Sequence, residues 1–193
     1  MKNKKTFFII ALVFVLLIGG ATVLYRQLGK NIAAEQLATQ STNQSDESAA
    51  GETEQKIKAP DFTVYDADGN EVHLADYIGK PIVLNFWASW CGPWQSEMPD
   101  FHEKYLELGD DVHFLMINMT DGARETVESA SAFIAKNGYA FPVFYDTKSE
   151  AASIYGAYSL PTTFFIDADG YAIAQATGAI DAETLQRGLD MIK

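Results

Sequence analysis

The chain has 193 residues, and its 14 Lys or Arg stand against 26 Asp or Glu, a net charge of -12. That is room for one domain of ordinary size with flanking segments, and the acidic balance speaks against nucleic acid as a partner, because binding it needs a positive patch that neutralises phosphates. A single cysteine, Cys91, excludes a disulfide within the monomer, so packing must supply the stability.

The charge is unevenly placed: residues 1–30 hold five basic residues and no acid, whereas from Ile57 onward eight basic residues face 21 acidic ones. We read that acidity as a solubility feature. After a basic N-terminus (residues 1–6, with Lys2, Lys4 and Lys5), the run from Phe7 to Leu24 carries no charge over about 18 residues. At about 1.5 Å per residue this is close to a bilayer core. Tyr25-Arg26 closes the run at what would be the interface. Residues 7–25 are expected to form an uncleaved transmembrane anchor. The competing reading is a cleaved signal peptide, whose apolar region is usually about 7–15 residues and ends at a small-x-small site. No cysteine ends the run, which excludes a lipoprotein anchor. Lysines in front compete with Arg26 and Lys30 behind under the positive-inside bias. The favoured orientation puts the N-terminus inside and the domain on the extracytoplasmic side of the cell membrane, where oxidants reach a thiol.

Residues 26–56 are expected to be a flexible, acidic, polar linker. From Asn31 to Lys56 there are two aliphatic residues larger than Ala and no aromatic, too little apolar surface to offset the entropy of ordering. A domain over residues 57–193 follows. Two short strands around Asp68-Gly69-Asn70 make a hairpin signal. Ile82 to Trp87 is a buried strand run, and Trp94 to Leu108 a helix with Met98, Phe101, Tyr105 and Leu108 at three- and four-residue spacing. A strand at Val112 to Asn118 precedes a helix over about Arg124 to Asn137, stopped by Gly138. A strand in Pro142-Val143-Phe144-Tyr145-Asp146, a helix from Ser149 to Tyr155, a second hairpin around Asp169-Gly170 and a helix from Ala182 to Ile192 complete the chain. Such strand-helix alternation ending in a hairpin implies an α/β fold whose sheet is partly parallel.

Candidate chemistry concentrates in Asn85-Phe86-Trp87-Ala88-Ser89-Trp90-Cys91-Gly92-Pro93-Trp94. A strand ends near Trp87 and a helix starts around Pro93, a residue favoured in a first turn. That puts Cys91 at a helix N-terminus, where unpaired N–H groups and the macrodipole favour the thiolate, the nucleophilic form. Without those neighbours a lone cysteine reads as a small buried hydrophobe.

This motif resembles the active site of the thioredoxin superfamily, whose usual form is Trp-Cys-Gly-Pro-Cys. The continuation Ser96-Glu97-Met98-Pro99, the Asn118-Met119-Thr120-Asp121-Gly122 connection, the Phe141-Pro142-Val143 segment and Leu160-Pro161-Thr162-Thr163 resemble the TlpA-like and ResA-like thiol-disulfide oxidoreductases in particular. The resemblance runs from Pro60 to the C-terminus. It implies a thioredoxin-like α/β fold, a central mixed sheet flanked by helices, and a role in redox homeostasis through thiol-disulfide exchange with protein or small-molecule thiols. It makes Cys91 the attacking cysteine, Pro161 after Leu160 the cis-proline facing it, and Glu97 a glutamate that tunes the cysteine chemistry, with a solvated helix-surface residue as the alternative. Asn85 stands where thioredoxin carries a buried Asp, and an amide cannot take that proton. Trp90, Gly92, Pro93, Trp94, Leu160 and Pro161 are the expected substrate-binding residues.

Trp94 occupies the place of the second, resolving cysteine. A dithiol enzyme forms a mixed disulfide and then releases it with its second thiol; this chain is expected to work in a monothiol mode, with an external thiol completing the cycle. The Trp94 ring is expected either to cover the sulfur or to widen an apolar docking surface. The alternative function is a redox-inactive binding module that uses a Trp-rich rim and the groove at Pro161. A disulfide-linked dimer through Cys91 is a third possibility. No peroxiredoxin-like Pro/Thr-rich loop precedes Cys91, His73, His102 and His113 are scattered, and no phosphate loop or zinc spacing occurs, so neither cofactor nor metal is implied.

Overall fold

The computed structural model describes residues 37–39 and 56–193; the expected anchor at residues 7–25 and most of the linker lie outside the described residues. No helix among the described residues is long and apolar enough to cross a membrane.

Nine strands form one sheet among the described residues: β1 (Ala38–Thr39), β2 (Ile57–Lys58), β3 (Thr63–Tyr65), β4 (Glu71–His73), β5 (Ile82–Trp87), β6 (His113–Asn118), β7 (Val143–Tyr145), β8 (Thr162–Ile166) and β9 (Tyr171–Thr177). The order is β1-β9-β8-β5-β6-β7-β3-β4, with β2 also on β9. β5, β6 and β7 run parallel, and every other pairing is antiparallel. Among the described residues four α-helices cover the sheet: α1 (Gly92–Leu108), α2 (Val127–Asn137), α3 (Glu150–Tyr155) and α4 (Ala182–Ile192). Part of the stretch expected to be a linker, Ala38–Thr39, thus adds a short strand opposite Gln175 and Ala174 of β9.

The mixed sheet flanked by helices is the expected thioredoxin-like architecture. β5 is buried at all six positions, as a central strand covered on both faces must be, and its side chains alternate between two cores. Val83 and Trp87 join Met98, Phe101, Phe114, Leu185 and Leu189 on one face. Ile82, Leu84 and Phe86 join Phe62, Val64, Ile117, Tyr155 and Phe164 on the other. Burying these aliphatic and aromatic groups is the main favourable term in folding.

Register positions the site. β5 and β6 are parallel with Trp87 opposite Asn118, so the loops after both strands emerge at the same sheet edge. β8 runs antiparallel to β5 with Thr162 opposite Phe86, which brings the segment just before β8 to that edge as well. α1 begins there, with Cys91 as its N-cap residue in extended conformation and Pro93 in the first turn. Loops at the carboxyl ends of parallel strands are where α/β sheets place ligands.

Candidate active site

Cys91 is mostly buried, 6 % exposed, and its thiol donates to the Leu160 carbonyl oxygen at 3.5 Å. The next peptide bond, Leu160–Pro161, is cis, the geometry the sequence resemblance implied. Two segments 69 residues apart thus converge on one sulfur. Beside it Gly92 and Pro93 are exposed, Leu160 is half-buried and Pro161 buried. Trp90 is 42 % exposed, and the Arg124 guanidinium lies over its ring, 3.5 Å from the centroid.

Trp94 requires a correction. Of the two expected roles, covering the sulfur or widening a docking surface, the second is overturned: Trp94 is fully buried, because position 94 of α1 points into the core cluster that also holds Cys91. Its ring stacks on Trp87, and its indole N–H donates to Asn85 Oδ1 at 3.1 Å. The Trp-rich rim therefore reduces to Trp90, since Trp94 joins the packing residue Trp87 in the core.

An indole N–H can only donate, so the Asn85 amide must turn its oxygen toward Trp94 and its NH2 the other way. That NH2 donates to Glu97 Oε1 at 3.1 Å and to Thr163 Oγ1 at 3.0 Å. Glu97 is buried rather than solvated, and its Oε2 accepts from the Ile180 N–H at 2.9 Å. Burial pushes its carboxyl up from about 4.5 to about 8; the Ile180 and Asn85 hydrogen bonds oppose that shift, and the Asp100 charge adds to it. Trp94, Asn85 and Glu97 are therefore one buried polar chain beneath the first two turns of α1.

Two residues near the cysteine were not singled out from the sequence. Glu125 is fully buried and hydrogen-bonded to Ser89; the expected helix from Arg124 begins only at Val127, behind a Thr126–Ser129 capping box that leaves Glu125 in the loop. Thr126-x-x-Ser129 was the available signal for that boundary. Tyr158, two residues before Leu160, is 82 % exposed.

The AhpC/TSA family model matches residues 56–174. Thiol-disulfide oxidoreductase ResA of Geobacillus thermodenitrificans (strain NG80-2) is 36% identical over 136 residues, covering 70% of this chain and 76% of the relative. ResA of Bacillus subtilis (strain 168) is 30% identical over 136 residues, covering 70% and 74%. Among solved structures, a DsbF homologue from Corynebacterium diphtheriae superposes with a TM-score of 0.64 at 26% identity, over 79% of this chain and 98% of that one. A secreted Mycobacterium tuberculosis disulfide oxidoreductase homologous to E. coli DsbE gives 0.58 at 25% identity, over 67% and 94%. With its cysteine at the head of α1 and its family match spanning most of the domain, the chain belongs to the AhpC/TSA family, among the ResA-like thiol-disulfide oxidoreductases of the thioredoxin superfamily.

Proposed function

We propose that this chain is a membrane-anchored thiol-disulfide oxidoreductase that works through Cys91 alone on the extracytoplasmic face of the cell membrane. The observation that carries the reading is the filling of the second cysteine's place by a buried, hydrogen-bonded Trp94, while Cys91 keeps its place at the head of α1.

The chemistry has two steps. The Cys91 thiolate attacks one sulfur of a substrate disulfide; a new S–S bond joins Cys91 to that half, and the other half leaves as a thiolate that takes up a proton. An external thiol then gives up its proton and attacks the substrate sulfur of the mixed disulfide, releasing the Cys91 thiolate and an oxidised product. Overall the external thiol is oxidised into the new disulfide and the departed half is reduced to a thiol, so two electrons pass from the former to the latter through Cys91, with no cofactor. In this reading Trp90, Gly92, Pro93, Leu160 and Pro161 form the surface the substrate chain meets, and Glu97 is the buried acid of the site. The apolar run at residues 7–25 supports the anchor, and the secreted M. tuberculosis relative suits an extracytoplasmic domain.

Cys91→Ser is expected to abolish exchange with a model disulfide, and mass spectrometry of wild type incubated with that disulfide is expected to find a mixed adduct on Cys91. Full exchange by Cys91→Ser sinks the proposal. A second reading, a redox-inactive binding module, draws on the exposed Trp90 and Tyr158. Client binding undiminished in Cys91→Ala, together with no adduct, favours that module.

A further inference from the structure

The turn that carries Cys91 is gripped by a carboxylate to which the exchange chemistry gives no task. Glu125 is fully buried, and among the described residues no cation forms an ion pair with it. A buried carboxylate is costly unless donors replace the water it has lost. Here Oε1 accepts from the Ser89 N–H at 2.8 Å and from Asn118 Nδ2 at 2.7 Å, and Oε2 accepts from the Ser89 hydroxyl at 2.7 Å.

Ser89 lies two residues before the cysteine, inside a turn closed by the Cys91 N–H donating to the Ala88 carbonyl at 3.0 Å. Its own carbonyl accepts from Gln95 Nε2 at 2.6 Å. Every polar group of Ser89 is therefore held, two of the three by Glu125. The grip is itself anchored. Asn118 Oδ1 accepts from the Thr120 hydroxyl at 2.7 Å, and the Ala123 and Glu125 N–H groups both donate to Asp121 Oδ1, at 2.8 and 2.9 Å. The neighbouring Arg124 stacks on Trp90, so one loop holds both residues that precede the thiol.

We propose that Glu125 is a positioning residue for the Cys91 thiol: by holding the N–H and hydroxyl of Ser89 it fixes the turn that sets Cys91 at the head of α1 with its sulfur against the Leu160 carbonyl. The proposal rests on Cys91 being the reacting thiol. Glu125 touches neither sulfur nor substrate and acts through Ser89. A loosened turn lets the thiol swing away from the α1 N-terminus, and small misplacements of a reacting atom are costly in rate.

The test measures iodoacetamide alkylation of Cys91, and kcat and KM for exchange with a model disulfide, in wild type, Glu125→Ala, Glu125→Gln and Ser89→Ala, with thermal melting as the folding control. Glu125→Ala is expected to slow alkylation about ten-fold and to lower kcat similarly with KM unchanged, since a buried donor pair loses its acceptor. Glu125→Gln is expected to recover to within about three-fold of wild type, because an amide oxygen still accepts the Ser89 N–H and the amide NH2 can donate to the hydroxyl. If Glu125→Ala does not fold, Glu125→Gln and Ser89→Ala decide the matter, the latter expected to lose about three-fold through the hydroxyl alone. Folded Ala variants with wild-type alkylation and kcat overturn the proposal, as does a Gln variant no faster than the Ala variant. A reactive wild-type thiol with unaffected variants defeats only the role of Glu125. A wild-type thiol that neither alkylates nor exchanges defeats the monothiol reading and this proposal together.

Discussion

Trp94 lies flat on Trp87, ring centroids 4.0 Å apart and planes 13° from parallel, so the position that holds the resolving cysteine in the usual motif is here a keystone of the core. Phe133 of α2 leans on the same ring at 5.5 Å. The stack joins the end of β5 to the start of α1, the two elements that flank Cys91. Replacing the second thiol has therefore done more than remove a sulfur: it ties the cysteine's helix to its strand.

The first prediction separates the ring from its N–H. Trp94→Phe keeps the aromatic contact but leaves the buried Asn85 oxygen without its donor, and is expected to cost about 1–3 kcal/mol. Trp94→Cys rebuilds the dithiol motif but empties much of the ring's volume, and is expected to cost about 3–5 kcal/mol, the range for removing a buried large aromatic side chain. Urea denaturation of the reduced proteins checks both. A Trp94→Cys variant within about 1 kcal/mol of wild type would mean that the stack contributes little to stability.

The second concerns Glu97 and pH. Its folded value of about 8 lies above the ordinary 4.5, so the folded state holds this proton more tightly than the unfolded chain does. The resulting stability is complete below about pH 4.5 and is lost as pH rises toward about 8. Relative to Glu97→Gln, which cannot ionise, wild type is expected to lose on the order of 5 kcal/mol across that window. Denaturation midpoints of both proteins from pH 4.5 to pH 9 measure it. A difference that does not change with pH rules out a carboxyl held protonated by burial.

These two residues also mark how far the sequence could be followed. The uninterrupted run from Ile82 to Trp87 announces a strand covered on both faces, and Gly92-Pro93 announces a helix start, because both signals are local. The inward turn of Trp94 depends on Asn85, which the fold brings beneath it, and in sequence an aromatic beside the exposed Gly92 and Pro93 reads equally as groove or core. The burial of Glu97 depends on Ile180, 83 residues later, and the task of Glu125 on Ser89, 36 residues earlier. Periodicity carries no information about such partners. The sequence resemblance placed Glu97 and Pro161 at the site only because their motifs match relatives.

The third prediction tests the packing of α4 on the sheet. Gly188 sits against the fully buried ring of Phe165, and a Cβ there would fall inside the ring's van der Waals shell. Alanine is the better helix former by about 1 kcal/mol, yet Gly188→Ala is expected to destabilise by about 1–3 kcal/mol, because a ring packed on all sides cannot move aside. Thermal melting decides the sign, and a stabilised variant would show that α4 can lift from β8 at no cost.

The last prediction addresses what a protein substrate meets. Tyr158 leaves 82 % of its surface open just before the Leu160 carbonyl that contacts the sulfur, and its polar tip and apolar ring suit a surface that is wet until a partner covers it. A free monomer gains little from such a ring, so Tyr158→Ser is expected to change stability by less than about 0.5 kcal/mol. It is expected to raise KM for a protein disulfide several-fold while leaving KM for a small disulfide unchanged, since a small molecule reaches the sulfur without crossing the tyrosine. Steady-state kinetics on the two substrate classes measures this contrast. Equal effects on both would place Tyr158 outside the docking surface, and the partner's grip would then rest on Trp90 and the segment at Leu160–Pro161.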